Sequence, residues 1–215
     1  NFFLIKYSEI YNYFQRTLLS KKNIKFIKFK KNIDYDYLIK HNKYNLIINS
    51  DSKNKITLKY FSKKIEKNYD SKSYTTIIDH KKIENNVAVQ IFTKFGPLAF
   101  LPFSNTKTSI VFSLFNKKIK DQNQIIELIK KYNFKYLIKN IGDFEMYNLK
   151  FSILRKYYYK NILSFGDLLH KIHPLAGQGF NMTIRDIKIL SSIIDEKLNI
   201  GLELDKYILE EFEKK

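Results

Sequence analysis

The chain has 215 residues, with 39 lysines and arginines against 21 acidic residues, a formal net charge of +18, and no cysteine. This length suffices for a hydrophobic core, and without cysteine the fold cannot be a disulfide framework. No run of roughly eighteen apolar residues occurs, so the sequence predicts no membrane-spanning helix.

The excess of positive charge raises nucleic acid as a partner. Only Arg16, Arg155 and Arg185 are arginines, so 39 minus 3 leaves 36 lysines, scattered among isoleucine, asparagine, tyrosine and phenylalanine. AT-rich codons would produce that mixture, and arginine, the commonest specific reader of bases, is scarce. We therefore expect no specific nucleic-acid partner and rank nucleic-acid binding as the least favoured hypothesis. Scattered lysines could instead hold a peripheral protein on anionic lipid.

The N-terminal part predicts one helix and two strands. Apolar residues recur at helical spacing from Ile10 to Leu18, after a capping Ser8. Residues 24–29 alternate apolar side chains with lysine, and residues 44–48 are more continuously apolar. Both segments predict strands, and the second ends in a turn that contains Asp51.

The middle of the chain changes to β-branched and aromatic segments joined by short polar turns, which predicts an antiparallel meander. Asp121 followed by Gln124 resembles a capping box and predicts a helix of about three turns. The sequence predicts a further strand over 144–154 and a final helix over 204–212. The predicted meander strands cover residues 74–78, 87–92, 98–103 and 109–115.

Residues 161–190 concentrate three of the six glycines and one of the three prolines. The apolar run 162–165 predicts a buried strand that delivers Asp167 at its carboxyl end, where open α/β sheets bind ligands. A helix then follows Gly177-Gln178-Gly179, and its unpaired amides favour an anion or an electron-rich oxygen. Its predicted buried face consists of Phe180, Ile184, Ile187, Leu190, Ile194 and Leu198.

The pattern in this stretch resembles the second FAD-binding signature of the class A flavoprotein aromatic hydroxylases. It is most similar to the branch that hydroxylates polyprenylated rings in ubiquinone biosynthesis. Leu168 and Leu169 stand where that family usually has small residues. The matching residues are Gly166-Asp167, His170, His173-Pro174, Gly177-Gln178-Gly179, Asn181 and Asp186.

The same residues allow two plainer interpretations. Asp167, His170 and His173 could form a metal set, but a helix that carried all three would run into Pro174. Gly177 to Gly179 could be a simple helix cap. Neither interpretation accounts for the whole pattern, so we expect no metal site.

The resemblance implies FAD as cofactor, NAD(P)H as co-substrate and a small hydrophobic aromatic substrate. It names no catalytic base. The family has a second motif, of which this chain keeps only the aspartate, Asp51. The loss of the other motif residues weakens the expectation that this turn contacts the cofactor. The cofactor-binding residues that the resemblance implies are Gly166, Asp167, Pro174, Leu175, Ala176, Gly177, Gln178, Gly179, Asn181 and Asp51.

The resemblance also implies a mixed α/β (α+β) fold. An FAD/NAD(P)-binding Rossmann-like portion, residues 1–60 and 155–215, would interleave with an antiparallel substrate-binding sheet with one helix, residues 61–154. The segment Gly96 to Pro102 resembles the family's GPxAxLP strand of that sheet. No GxGxxG loop is present, so we expect an N-terminally incomplete piece that lacks the first βαβ unit.

We expect a cytoplasmic protein, with peripheral association with the inner membrane and membership of a ubiquinone-biosynthesis complex left open. The alternative function is that of a non-catalytic, flavoprotein-like subunit of a biosynthetic assembly. The altered Asp51 motif and the absent GxGxxG loop both permit this alternative.

Overall fold

The computed structural model describes residues 5–27, 44–115, 121–171 and 178–215. Backbone contacts divide the chain into two units, Asn1–Lys30 with Asp70–Asn148, and Lys31–Tyr69 with Leu149–Lys215. The strands β2 and β7 below contribute residues to both units. The elements are α1 (Tyr7–Leu19), β1 (Ile47–Asn49), α2 (Lys55–Tyr60), β2 (Lys64–His80), β3 (Val89–Thr93), β4 (Gly96–Ser104), β5 (Lys107–Phe115), α3 (Gln122–Tyr132), β6 (Ile138–Ile141), β7 (Glu145–Leu154), β8 (Tyr158–Tyr159), β9 (Ile162–Ser164), a 3₁₀ turn (Gly166–Leu168), β10 (His170–Lys171), α4 (Gln178–Asn199) and α5 (Lys206–Lys214).

The first unit is built on an antiparallel sheet. β2 pairs with both β5 and β6, β5 pairs with β4, and β4 pairs with β3. Alternate residues face one side, so Leu98, Phe100, Ile110 and Phe112 are fully buried in one apolar cluster with Ile129 of α3. The predicted strands are confirmed, but only β3, β4 and β5 form a meander, because β2 pairs with β5 and not with β3. β2 also begins ten residues earlier than the predicted strand at Tyr74.

A glycine fixes the close approach of β4 to β5. Gly96 has φ of +131°, and a Cβ built there would lie 2.0 Å from the carbonyl oxygen of Ser113. Only a residue without a side chain satisfies both conditions. The glycine that begins the GPxAxLP-like segment is therefore required by the packing of the β4 and β5 backbones.

A fully paired polar cluster is buried under the same sheet. The Lys81 carbonyl can only accept a hydrogen bond, so Nδ1 of His80, 2.8 Å away, donates to it. In this neutral tautomer the other ring nitrogen, Nε2, accepts from the Thr108 hydroxyl at 3.0 Å. Asn85 donates to Thr108 at 2.9 Å and accepts from the Tyr136 hydroxyl at 2.9 Å. Because these groups satisfy one another, we interpret the cluster as structural.

The second unit contains a short three-stranded sheet. β1 and β9 are parallel, and β8 is antiparallel to β9. β10 pairs with β7. The core lies between this sheet and the two C-terminal helices, and it includes Phe61, Leu163, Ile193 and Phe212.

A short polar side chain begins three of the helices, but the predicted cap at Ser8 is wrong, because α1 begins at Tyr7 after Lys6 and has no side-chain cap. Asp121 accepts from the Gln124 amide at 2.9 Å, as the capping box predicts, and Asp205 accepts from Tyr207 at 3.0 Å. Asn54 accepts from Thr57 at 2.8 Å and begins α2, a helix that the sequence analysis missed. Within the described residues, no helix is long and apolar enough to span a bilayer.

One predicted strand is wrong in its described part. Residues 24–27 have no regular structure, and Ile24, Phe26 and Ile27 are exposed; Phe29 lies outside the described residues. Alternating side chains do not make a strand without a partner for its backbone groups. The second predicted strand is shorter than expected and runs from Ile47 to Asn49.

Candidate functional site

The parallel pair β1 and β9 brings two predicted carboxylates to the same sheet edge. Ile47 pairs with Ile162 and Asn49 with Ser164, and the Phe165 amide donates to the Asn49 carbonyl at 2.9 Å. Because both strands run the same way, the turns that carry Asp51 and Asp167 leave from the same end. This is the carboxyl edge at which open α/β sheets bind ligands.

The 3₁₀ turn after β9 separates polar from apolar side chains. Gly166 has φ of +65°, which favours glycine, and its carbonyl accepts from the Leu169 amide at 2.9 Å. Asp167 is exposed, whereas Leu168 and Leu169 are buried in the core. The two leucines that depart from the family pattern therefore do not fill the space beside the glycine.

Helix α4 contacts this turn. It packs against Gly166–Leu168, and Gly179 is its second residue. A Cβ on Gly166 or on Gly179 would meet no described atom within 4 Å. Among the described glycines only Gly96, Gly166 and Gly201 have positive φ, so a left-handed cap at Gly179 is excluded. Neither backbone conformation nor described packing explains a glycine at 179.

These observations fit a flat ligand with hydroxyl groups. The exposed Asp167 carboxylate can accept hydrogen bonds, and the open space at two glycines allows close approach to the backbone. Asn181 is exposed in the first turn of α4. Pro174, Leu175, Ala176 and Gly177 lie outside the described residues, and Gln178 is described only as the first residue of α4.

Asp51 belongs to a turn that satisfies its own polar groups. The Asp51 carboxylate accepts from the Lys53 amide at 2.8 Å, and the Asp51 backbone carbonyl accepts from the Thr57 hydroxyl at 2.6 Å. Asn49 donates to Thr57 at 2.8 Å and accepts from Asn54 at 2.6 Å. This network stabilises the turn and uses one oxygen of the exposed carboxylate, so a cofactor contact by Asp51 stays a prediction.

The buried face of α4 differs in part from the predicted one. Leu190 is buried and Ile194 packs against the core, as predicted. Phe180, Ile184 and Ile187 are exposed at 58%, 46% and 46%, and Leu198 is exposed as well. The buried positions are Asp186, Leu190 and Ile193, spaced by four and three residues. The prediction failed because α4 has apolar residues on two faces, and tertiary packing selected the face that also carries the aspartate.

Sequence reasoning also missed the partner of that aspartate. Asp186 Oδ2 lies 3.3 Å from His170 Nε2, and both side chains are buried. Burial raises the pKa of Asp186, and the charges of His170 and Arg185 oppose that shift. The signal was available, because an aspartate that shares helical spacing with buried apolar residues requires a buried partner.

The metal interpretation receives no support from the described side chains. No group of three histidine, aspartate or glutamate residues is arranged to hold a metal ion in the parts of the chain that the structure describes. His173, the third member of the considered set, lies outside those parts.

The fold is the one found in FAD-dependent monooxygenases and halogenases. PqsL of Pseudomonas aeruginosa, a probable FAD-dependent monooxygenase, superposes with a TM-score of 0.56 at 17% identity, over 79% of this chain and 50% of its own. The FAD-dependent halogenase CndH superposes with a TM-score of 0.60 at 12% identity, over 79% of this chain and 43% of its own. The predicted mixed α/β fold with an antiparallel sheet is confirmed.

In sequence the chain is similar to ubiquinone hydroxylases, which confirms the resemblance inferred from the glycine-rich stretch. It is 25% identical over 134 residues to ubiquinone hydroxylase UbiL of Rhodospirillum rubrum. It is 24% identical over 163 residues to the mitochondrial ubiquinone biosynthesis monooxygenase COQ6 of Danio rerio. These matches cover 59% and 56% of this chain but only 31% and 33% of the relatives. No family model matches the chain.

Proposed function

We propose that this chain is part of an FAD-dependent monooxygenase that hydroxylates an aromatic ring, with NAD(P)H and O2 as co-substrates. The observation that carries the proposal is the exposed Asp167 carboxylate next to Gly166, at the carboxyl edge of a parallel strand pair. Gly179 in the first turn of α4 adds to it, because a Cβ there or at Gly166 would meet no described atom within 4 Å. The similarity to UbiL and COQ6 supports the same assignment.

The chain's residues bind and orient the cofactor. Asp167 accepts hydrogen bonds from ribitol hydroxyls, and Gly166 and Gly179 admit the flat ring system against the backbone. The amides at the start of α4 lie at the positive end of the helix dipole and favour the electron-rich edge of the ring. The redox chemistry, reduction by NAD(P)H and transfer of one oxygen atom from O2 to the substrate, is supplied by FAD when bound.

The substrate that we propose is a polyprenylated ubiquinone precursor. The names of the relatives supply the reaction class, and the strand β4, which resembles the family's GPxAxLP segment, supports an aromatic substrate. Such a substrate resides in lipid, so we further propose peripheral membrane association assisted by the lysines, and association with a ubiquinone-biosynthesis complex.

A complementation assay tests this function. The gene as it stands in its genome should restore ubiquinone synthesis in a bacterial strain that lacks a ring hydroxylase, measured as the quinone content of lipid extracts. Restoration that requires an added, separate hydroxylase would indicate the non-catalytic subunit instead. No restoration and no FAD binding by the purified protein would contradict the proposal.

The Asp167→Ala variant tests the site itself. Loss of a charge-assisted hydrogen bond of about 1.5–3 kcal/mol should raise the FAD dissociation constant about ten- to a hundredfold. Asp195→Ala is the matched control, because Asp195 is an exposed aspartate further along α4. Equal FAD affinity in the two variants would indicate that Asp167 belongs only to the turn and does not contact FAD.

A further inference from the structure

The buried pair of His170 and Asp186 joins two segments of the second unit that flank the candidate site. His170 is in β10, three residues after Asp167, and Asp186 is in α4, seven residues after Gly179. Their Nε2 and Oδ2 atoms are 3.3 Å apart, with side-chain exposures of 6% and 9%. This is a close buried approach of two polar groups without the alignment of a hydrogen bond, and neither atom has a hydrogen-bond partner among the described residues.

From this placement we propose that His170 and Asp186 are positioning residues for flavin binding. Their pairing fixes α4 against β10 and thereby sets the distance between the Asp167 carboxylate and the glycine at the start of the helix. This inference rests on the proposed function, because it assigns the pair a role in holding the two sides of the flavin site in register.

A contact that depends on close approach is what this role requires. Apolar side chains pack in many relative positions, whereas a buried imidazole and a buried carboxylate compensate each other's desolvation only when they lie close together. Seven residues of helix span about 10 Å at 1.5 Å per residue, so a small change of helix axis at Asp186 is passed to Gly179. β10 is held in turn by its pairing with β7, in which His170 lies opposite Ile153.

Stability alone does not account for the pair. Two polar groups in an apolar cluster must be desolvated, and a well-packed apolar pair of similar volume is often as stable or more stable. Removing only one partner leaves the other buried with no polar group beside it. The double replacement His170→Leu with Asp186→Leu therefore separates the two roles, since it restores apolar packing but removes the polar contact.

The test compares the single variants, the double variant and the control Ile193→Ala, a cavity in the same helix that leaves the pair intact. Each full-length protein is characterised by thermal unfolding, by equilibrium FAD titration and by hydrogen exchange of the amides of residues 178–183. We expect both single variants to melt early and the double variant to recover the wild-type melting temperature. The double variant should nevertheless bind FAD about tenfold or more weakly and exchange faster at the start of α4.

The control should melt early with unchanged FAD affinity. A double variant with wild-type FAD affinity and exchange would overturn the inference and leave the proposed function standing. A wild-type protein that binds no FAD would instead overturn the proposed function, and the hydrogen-exchange comparison would still decide whether the pair fixes the start of α4.

Discussion

Replacing Gly179 by valine separates flavin binding from folding. Gly179 lies inside helix α4, without positive φ, and a Cβ there meets no described atom within 4 Å. Valine is better than glycine in a helix by a few tenths of a kcal/mol, about 0.3, so the free energy of unfolding should be unchanged or slightly higher. FAD binding should be lost, because the branched side chain would occupy the space proposed for the ring.

Gly201→Val is the matched control for this experiment. Gly201 also has no described atom within 4 Å of a built Cβ, but its φ is +74°. Valine should therefore cost about 1–2 kcal/mol in stability there. For a chain of this size that lowers the melting temperature by about 2–8 °C.

Thermal unfolding followed by circular dichroism and titration of flavin fluorescence measure the two quantities. Gly201→Val should retain FAD affinity but melt early. Gly179→Val should melt no earlier than wild type but lose FAD binding. A Gly179→Val protein that takes up FAD with wild-type affinity would refute the reasoning, whatever its melting temperature.

Two further predictions concern stability. Gly96→Ala should lower the free energy of unfolding by about 2–5 kcal/mol, because it combines positive φ with a contact of 2.0 Å to Ser113; Gly142→Ala, with its nearest atom at 3.2 Å, should cost much less. Equal urea midpoints for the two would contradict the strand-packing argument. Because burial raises the pKa of Asp186 above its ordinary 3.8, the folded state holds this proton more tightly than the unfolded chain. The contribution of Asp186 to stability is thus present below pH 3.8 and lost as the pH rises through the folded pKa. The free energy of unfolding of wild type minus that of Asp186→Asn should accordingly fall with rising pH above about 4, and a pH-independent difference would count against burial as the dominant effect.

Local signals were sufficient where a feature depends on neighbours in the chain. The capping residue Asp121, the alternation of β4 and β5 and the glycine-rich stretch before α4 each act over a few residues, so their positions could be read directly. The resemblance to ubiquinone hydroxylases depended on such spacing as well. The strand predicted at 24–29 failed because a strand also needs a partner, which the local pattern does not contain.

The amino-acid sequence by itself determined the class of fold, the strand segments of the antiparallel sheet and most helix positions, and it predicted the residues of the candidate flavin site. Only the tertiary structure decided which face of α4 is buried, because two of its faces are apolar and the choice depends on what packs against them. It also decided that Asp186 pairs with His170, and that Gly166 and Gly179 have open space beside them while Leu168 and Leu169 enter the core. Each of these features depends on which residues, far apart in the chain, lie close together in space. The packing of the helices and strands decides this, and local sequence patterns do not contain it.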